Sequence, residues 1–209
     1  MDLINKILGP GIKVPPPDPD GLSREELYVE IFGPIASVSH DTGERSSHTV
    51  YRFDAREGRN FVTYVTGGMS KQEQPGMAGE QMARMELVFY ATAHSPLYAE
   101  LLREFAHYPF NTGRAFKGWD ALSLGSHAAQ VLGSDRFQLL WFCPGLRKED
   151  LGIVSRLTAA GHPVFPLMIV PLTKPESEFL QEQGVRDLVE RISASSVSIV
   201  YDPARESVI

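Results

Sequence analysis

The chain of 209 residues contains a single cysteine, Cys143, so no intramolecular disulfide can form and no pair of cysteines can hold a metal. A lone thiol fits a reducing compartment, and the expectation is a soluble, cytoplasmic protein. Long hydrophobic runs are also lacking. Apolar stretches such as 139–143 fall far short of the roughly 20 residues of a membrane span. The first residues offer only Leu3-Ile4 and Ile7-Leu8 around Lys6, less than the roughly 7–15 apolar residues of a secretory leader. No basic cluster stands out: Lys and Arg number 20 against 26 Asp and Glu, for a net charge of −6. The nearest approach, residues 52–59, is interrupted by Asp54 and Glu57. Binders of duplex or RNA neutralise phosphates with a basic stripe, so neither nucleic acid nor a membrane is expected as a partner.

Motifs that carry chemistry are equally scarce. None of the six histidines forms an H-x3-H or H-E-x-x-H pair, so no metal and no cofactor are expected. His40 and His48 could meet across a hairpin near Asp41 or Glu44, although hairpin histidines are more commonly solvated. Gly68-Met69-Ser70-Lys71-Gln72 begins like a nucleophile elbow but lacks the closing glycine. Ser70-Lys71 lacks the glycine spacing of a phosphate loop. Cys143 with His107 or His127 would make a thiol dyad, but a reactive thiolate needs an electropositive, partly exposed site. Trp141-Phe142 beside it predicts burial instead. Acid pairs such as Glu25-Glu26 and Glu176/Glu178 fall in expected first turns of helices, where the helix dipole favours them. No catalytic residue is therefore expected. The rival reading from that class is a hydrolase using Cys143 or Ser70, and a third is a structural subunit that self-associates through a sheet edge.

What is present is a core: 43% of residues are hydrophobic and 10% aromatic. Residues 10–20 hold five prolines and read as an extended tether after a short arm, giving an N-terminal segment over 1–22. The folded domain is expected over 23–205, followed by a tail at 206–209. Ser23-Arg24-Glu25-Glu26 has capping-box spacing, and Leu27, Ile31 and Phe32 continue a helix that Gly33-Pro34 stops. Strand-like stretches at 35–39, 48–53 and 60–66 are separated by polar turns, the signature of an antiparallel meander. A strand is expected to resume over 82–91. Pro96 opens a helix with Leu97, Leu101, Leu102 and Phe105 at helical spacing and Pro109 beyond its end.

Residues 109–136 predict irregular backbone with one strand, and 137–142 a central strand closed by Pro144-Gly145. Residues 146–160 fit either a short helix or a hairpin arm. Pro166 places the apolar strand 164–172 at an edge or bulge. Pro175 opens a last helical region that Gly184 breaks in two, and 197–201 reads as a final strand. The fold class is α+β: a single domain with a mixed, largely antiparallel central sheet flanked by helices.

Two stretches combine methionine or aromatic side chains with glycine-rich backbone, a composition suited to interfaces. The first is the loop 67–79 with Gly68, Met69, Ser70 and Met77; the second is 116–119 with Phe116 and Trp119. Met69, Met77 and Trp119 could equally plug the core. Glu86 lies inside the apolar strand Met85-Glu86-Leu87-Val88-Phe89, so it either faces solvent or has a specific internal partner.

The run Val62 to Ser70, then Met85-Glu86-Leu87-Val88-Phe89-Tyr90, resembles the suppressor-of-fused domain family. There a strand ending in a Thr-x-Gly-x-Ser-like turn precedes one with an inward Glu-Leu pair. Leu139-Leu140-Trp141-Phe142, Val164-Phe165-Pro166-Leu167 and the acidic helix Glu176 to Glu182 resemble its later segments, so the likeness spans about residues 25–205. The resemblance implies binding rather than catalysis. Animal members clamp a peptide of a zinc-finger transcription factor between two domains. This chain has room for the first alone, so no clamp residue is carried over. Single-domain members are bacterial, and many are thought to be immunity proteins. The partner implied is a protein, in that case a polymorphic toxin.

Overall fold

The structure, a computed structural model, describes residues 23–40, 48–124, 128–154, 156–195 and 197–209. The expected arm and tether, Asp41, Glu44 and His127 lie outside the described residues.

Helix α1 (Arg24–Phe32) starts at the expected capping box: the Ser23 hydroxyl accepts the Glu26 N–H and the Glu26 carboxylate accepts the Ser23 N–H. It buries Leu27, Tyr28 and Phe32. Strands β1 (Ile35–His40), β2 (Thr49–Phe53), β3 (Val62–Gly67) and β4 (Met85–Ala91) then form an antiparallel meander. Helix α2 (Pro96–Thr112) is capped by the Ser95 hydroxyl. After β5 (Ala121–Ser123), the short α3 (Ala128–Leu132) and β6 (Phe137–Pro144), a 3₁₀ turn (Lys148–Ile153) leads to a two-stranded ribbon, β7 (Thr158–Ala159) and β8 (His162–Pro163). Strand β9 (Phe165–Thr173) runs into α4 (Lys174–Gln183), and Gly184 separates that helix from α5 (Val185–Ala194).

Seven strands form the main sheet in the order β1-β2-β3-β4-β9-β6-β5. Only β4 and β9 pair in parallel, so the expected α+β class with a largely antiparallel sheet holds. Helices cover both faces, so β3, β4 and β9 are buried along their whole length instead of alternating. One face carries Tyr64, Leu87, Phe89, Phe142 and Ile169 under α2; the other carries Val88, Tyr90, Trp141, Met168 and Val170 under α1, the 3₁₀ turn and α5.

Three expectations are corrected. Strand β9 is an inner strand between β4 and β6, not an edge. Its prolines are tolerated because the missing amide of each points away from the strand it is paired with, at Glu86 for Pro166 and at Leu140 for Pro171. The Phe165 N–H donates to Arg84, so alternate residues from 165 face β4; Pro171 does too, but the β4 pairing ends at Ile169. Pro166 faces the β6 side, beyond the last pair at Leu167. Second, Pro109 lies inside α2, whose end is set by Gly113 in the left-handed conformation (φ 71). With only the last turn following it, the missing amide costs a single hydrogen bond there. Third, residues 197–201 form no strand: Tyr201 makes an isolated parallel bridge to Ala91. The segment 146–160 resolves into both alternatives in sequence, the 3₁₀ turn and then one arm of the ribbon.

Two buried ion pairs fasten the periphery. Arg59 makes a two-toothed contact with Asp150 (2.7 and 2.9 Å), which also accepts the Tyr90 hydroxyl, holding the 3₁₀ turn on the sheet. Arg205 grips Glu176 (2.6 and 2.7 Å), and Glu176 also accepts the Val208 and Thr173 amides, tying the C-terminal residues to the start of α4.

Candidate interaction site

Residues 67–71 turn sharply off the end of β3. Gly67 has to be glycine because a Cβ there would meet the Tyr51 ring at 2.5 Å. Gly68 takes a left-handed conformation (φ 111), and the Gly68 and Ser70 amides both aim inward. Their target is Glu86. Its carboxylate accepts the Gly68 N–H (2.9 Å), the Ser70 N–H (3.2 Å), the Ser70 hydroxyl (2.6 Å) and the Thr66 hydroxyl (2.7 Å). Arg24 of α1 stands 3.6 Å away and donates to the Ser70 hydroxyl. Glu86 is fully buried, so the internal reading holds and the solvated one does not. Tyr28 donates to the Thr66 carbonyl, and burial, with the Glu86 charge second, pushes its phenol well up. Arg84 clamps the outside of the turn through the Ser70 and Lys71 carbonyls.

Burial divides the residues singled out in the sequence. Met69, Ser70 and Phe116 have no exposed surface to speak of, and Gly68 is buried. Met69 and Phe116 share the cluster under α2, where Phe116 stacks on Phe142 with ring centroids 4.4 Å apart. Met77 and Trp119 are half-buried. The two candidate stretches are joined by Gln74: its amide oxygen accepts the Phe116 N–H (2.8 Å) and its nitrogen donates to the Phe116 carbonyl (3.3 Å). No pattern in the sequence marks Gln74, or the partner that Arg24 finds 62 positions away in Glu86. Ser70 is sealed in, and Cys143 is 5% exposed; burial alone pushes the Cys143 thiol well up, keeping it protonated. His107, the proposed dyad partner, lies on α2 with its ring 4.3 Å from that of His48.

Trp119 belongs elsewhere. Its backbone is left-handed (φ 75), unusual for a large side chain, and its N–H donates to the Phe142 carbonyl (2.7 Å). The ring sits 5.2 Å from that of Trp141. Both line a cavity of about 160 Å³ between the sheet and α5. Neither indole N–H has an acceptor among the described residues, although both are shielded from solvent. A buried donor left unpaired costs roughly 1–3 kcal/mol.

No group of three or more metal-binding side chains occurs among the described residues, and no helix there is long and apolar enough to cross a membrane. The architecture is thus an α+β sheet domain whose buried acids serve internal hydrogen bonds. Its family is shown by sequence: the profile of the Suppressor of fused protein (SUFU) family matches residues 44–206, and the chain belongs to that family. No curated protein matches it. Among solved structures, a SUFU homologue from Neisseria gonorrhoeae FA 1090 superposes with a TM-score of 0.65 at 16% identity, covering 88% of this chain and 93% of that one. The Sufu–Fu complex gives a chain with a TM-score of 0.60 at 15% identity, covering 88% of each. Drosophila Suppressor of Fused gives 0.53 at 16%, covering 78% of this chain and 42% of its own. At these identities the likeness is one of fold.

Proposed function

We propose that this chain is a non-enzymatic protein-binding domain, and that its finer role is to neutralise a toxin as an immunity protein. Family membership carries the first part, supported by a fold relative crystallised in complex with a protein, Fu. The states of Ser70 and Cys143 support the absence of catalysis: a fully buried hydroxyl lacks access to substrate, and a thiol held protonated by burial lacks the charge of a nucleophile. The toxin-neutralising part rests on the resemblance to bacterial single-domain members, and on a net charge of −6 suited to a basic partner.

The partner-facing surface proposed is the exposed side of the loop 71–80 around Met77, together with the Trp119 stretch. Buried Met69, Ser70, Phe116 and Glu86 support it from beneath and make no contact themselves. The test is affinity capture of the tagged chain from its host's lysate, repeated with Met77→Ser. One stoichiometric partner, held less well by the variant, is expected, and a toxin encoded by the same host would establish the finer role. Capture of nothing under gentle, low-salt conditions would contradict the protein-binding reading.

A further inference from the structure

The cavity between the sheet and α5 combines an apolar wall with two unmet indole donors. Its floor is Trp141, Cys143, Met168 and Val170, and α5 contributes Val189 and Ile192. No charged side chain lines it. An ion, a phosphate or a charged side chain entering it would lose its water with nothing in return. An extended backbone would fare no better, because its amides would go unpaired against this wall. What remains is one apolar side chain reaching in from outside.

Size and chemistry narrow it further. About 160 Å³ matches a single ring, since an apolar cavity of roughly 150 Å³ takes one benzene. Trp141 is 2% exposed, and its indole N–H, like that of Trp119, has no acceptor among the described residues. An aromatic occupant offers those donors a π face, a weak acceptor that an aliphatic chain lacks. Trp119 stands at the wall with left-handed backbone (φ 75), a strain of the kind that collects at ligand clamps. The net charge of −6 opposes an anionic membrane as the source of the occupant.

We infer that this cavity receives an aromatic side chain of a protein partner and is the anchor point of the complex. The inference rests on the protein-binding reading and adds the chemistry of the contact. Anchors of this kind, an aromatic group in a desolvated pocket, carry a disproportionate share of binding energy.

Both tryptophans of the chain line the cavity, so emission excited selectively at tryptophan, apart from the chain's seven tyrosines, reports on this site. The probe is toluene, the side chain of phenylalanine, titrated into the full chain. A saturable change in tryptophan emission is expected. It should weaken at least tenfold in Ile192→Phe, which fills the cavity, and in Ser193→Phe, which blocks it from an exposed position and keeps the test valid if the first variant unfolds. The same variants should capture the protein partner at least tenfold less well. An emission that toluene leaves unchanged would overturn the inference. So would toluene binding with capture unaffected by either variant; the protein-binding reading would survive and the ring would belong to a small molecule. If the wild-type chain captures no protein, the protein-binding reading fails, and the partner assigned to the cavity fails with it.

Discussion

The turn around Glu86 and the cavity beside α5 are both buried and both contain polar groups, yet their hydrogen bonding is opposite. At Glu86 the acceptor is filled: two backbone amides and two hydroxyls converge on one carboxylate, with Arg24 beside it. At the cavity two indole donors go unmet beside about 160 Å³ of space. A buried carboxylate whose oxygens are all taken rigidifies a fold and offers a ligand no acceptor. An unsatisfied apolar recess weakens the fold locally and has something to gain from an occupant. The pairing teaches that a buried carboxylate, usually the first place to look for chemistry, serves here as a structural pin.

The sharpest way to break this comparison is to remove the pin. Glu86→Ala should cost about 3–5 kcal/mol, since four donors and the nearby Arg24 charge lose their acceptor. Urea denaturation measures it, and a loss below about 1 kcal/mol would mean that the network contributes little. Next comes the methionine pair. Met69→Ala, deep under α2, should lose about 2–5 kcal/mol in the same assay. Met77→Ala, half-buried, should lose under about 1 kcal/mol while weakening partner capture. Equal losses would erase the distinction between support and surface.

Acid should act more gently. Although burial pushes the Glu176 carboxyl up, the Arg205 guanidinium and the Thr173 amide outweigh it and hold its pKa below the ordinary 4.5. A carboxylate whose pKa is lowered by folding contributes stability that is present above its unfolded pKa and lost as pH falls through the folded one. Amide exchange at Val208 and neighbouring C-terminal residues should therefore be steady from pH 7 to 5 and speed up below about pH 4, beyond its intrinsic pH dependence. Arg205→Met should remove that acid-dependent part. The smallest effect is expected at the cavity, where Ile192→Phe fills space and should stabilise by about 0.5–1 kcal/mol.

Much of this was legible because it is local. The Ser23 capping box, the Gly184 break and the meander strands depend on residues a few positions apart, and each lies where its pattern placed it. The Thr173–Glu176 box follows the same rule and opens α4 one residue ahead of Pro175. What sequence could not show depends on distance along the chain. The parallel pairing of β4 with β9 joins Met85 to Phe165, and Arg59 meets Asp150 across 91 positions. Pro166 suggested an edge because a proline reveals its missing donor but not which neighbour that donor would have faced. Glu86 was readable as an anomaly, and Trp119 as an exposed-or-core question. That Trp119 packs on Trp141 beside a cavity required the sheet and α5 to be in place.

The most direct test of the contrast is hydrogen exchange on the chain alone and bound to its captured partner. New protection at residues 145–146 and 189–193, with β4 slow in both states, is the predicted result. Protection that appears at residues 67–71 and β4 and bypasses the cavity rim would contradict it, because the Glu86 turn would then be the element that binding orders.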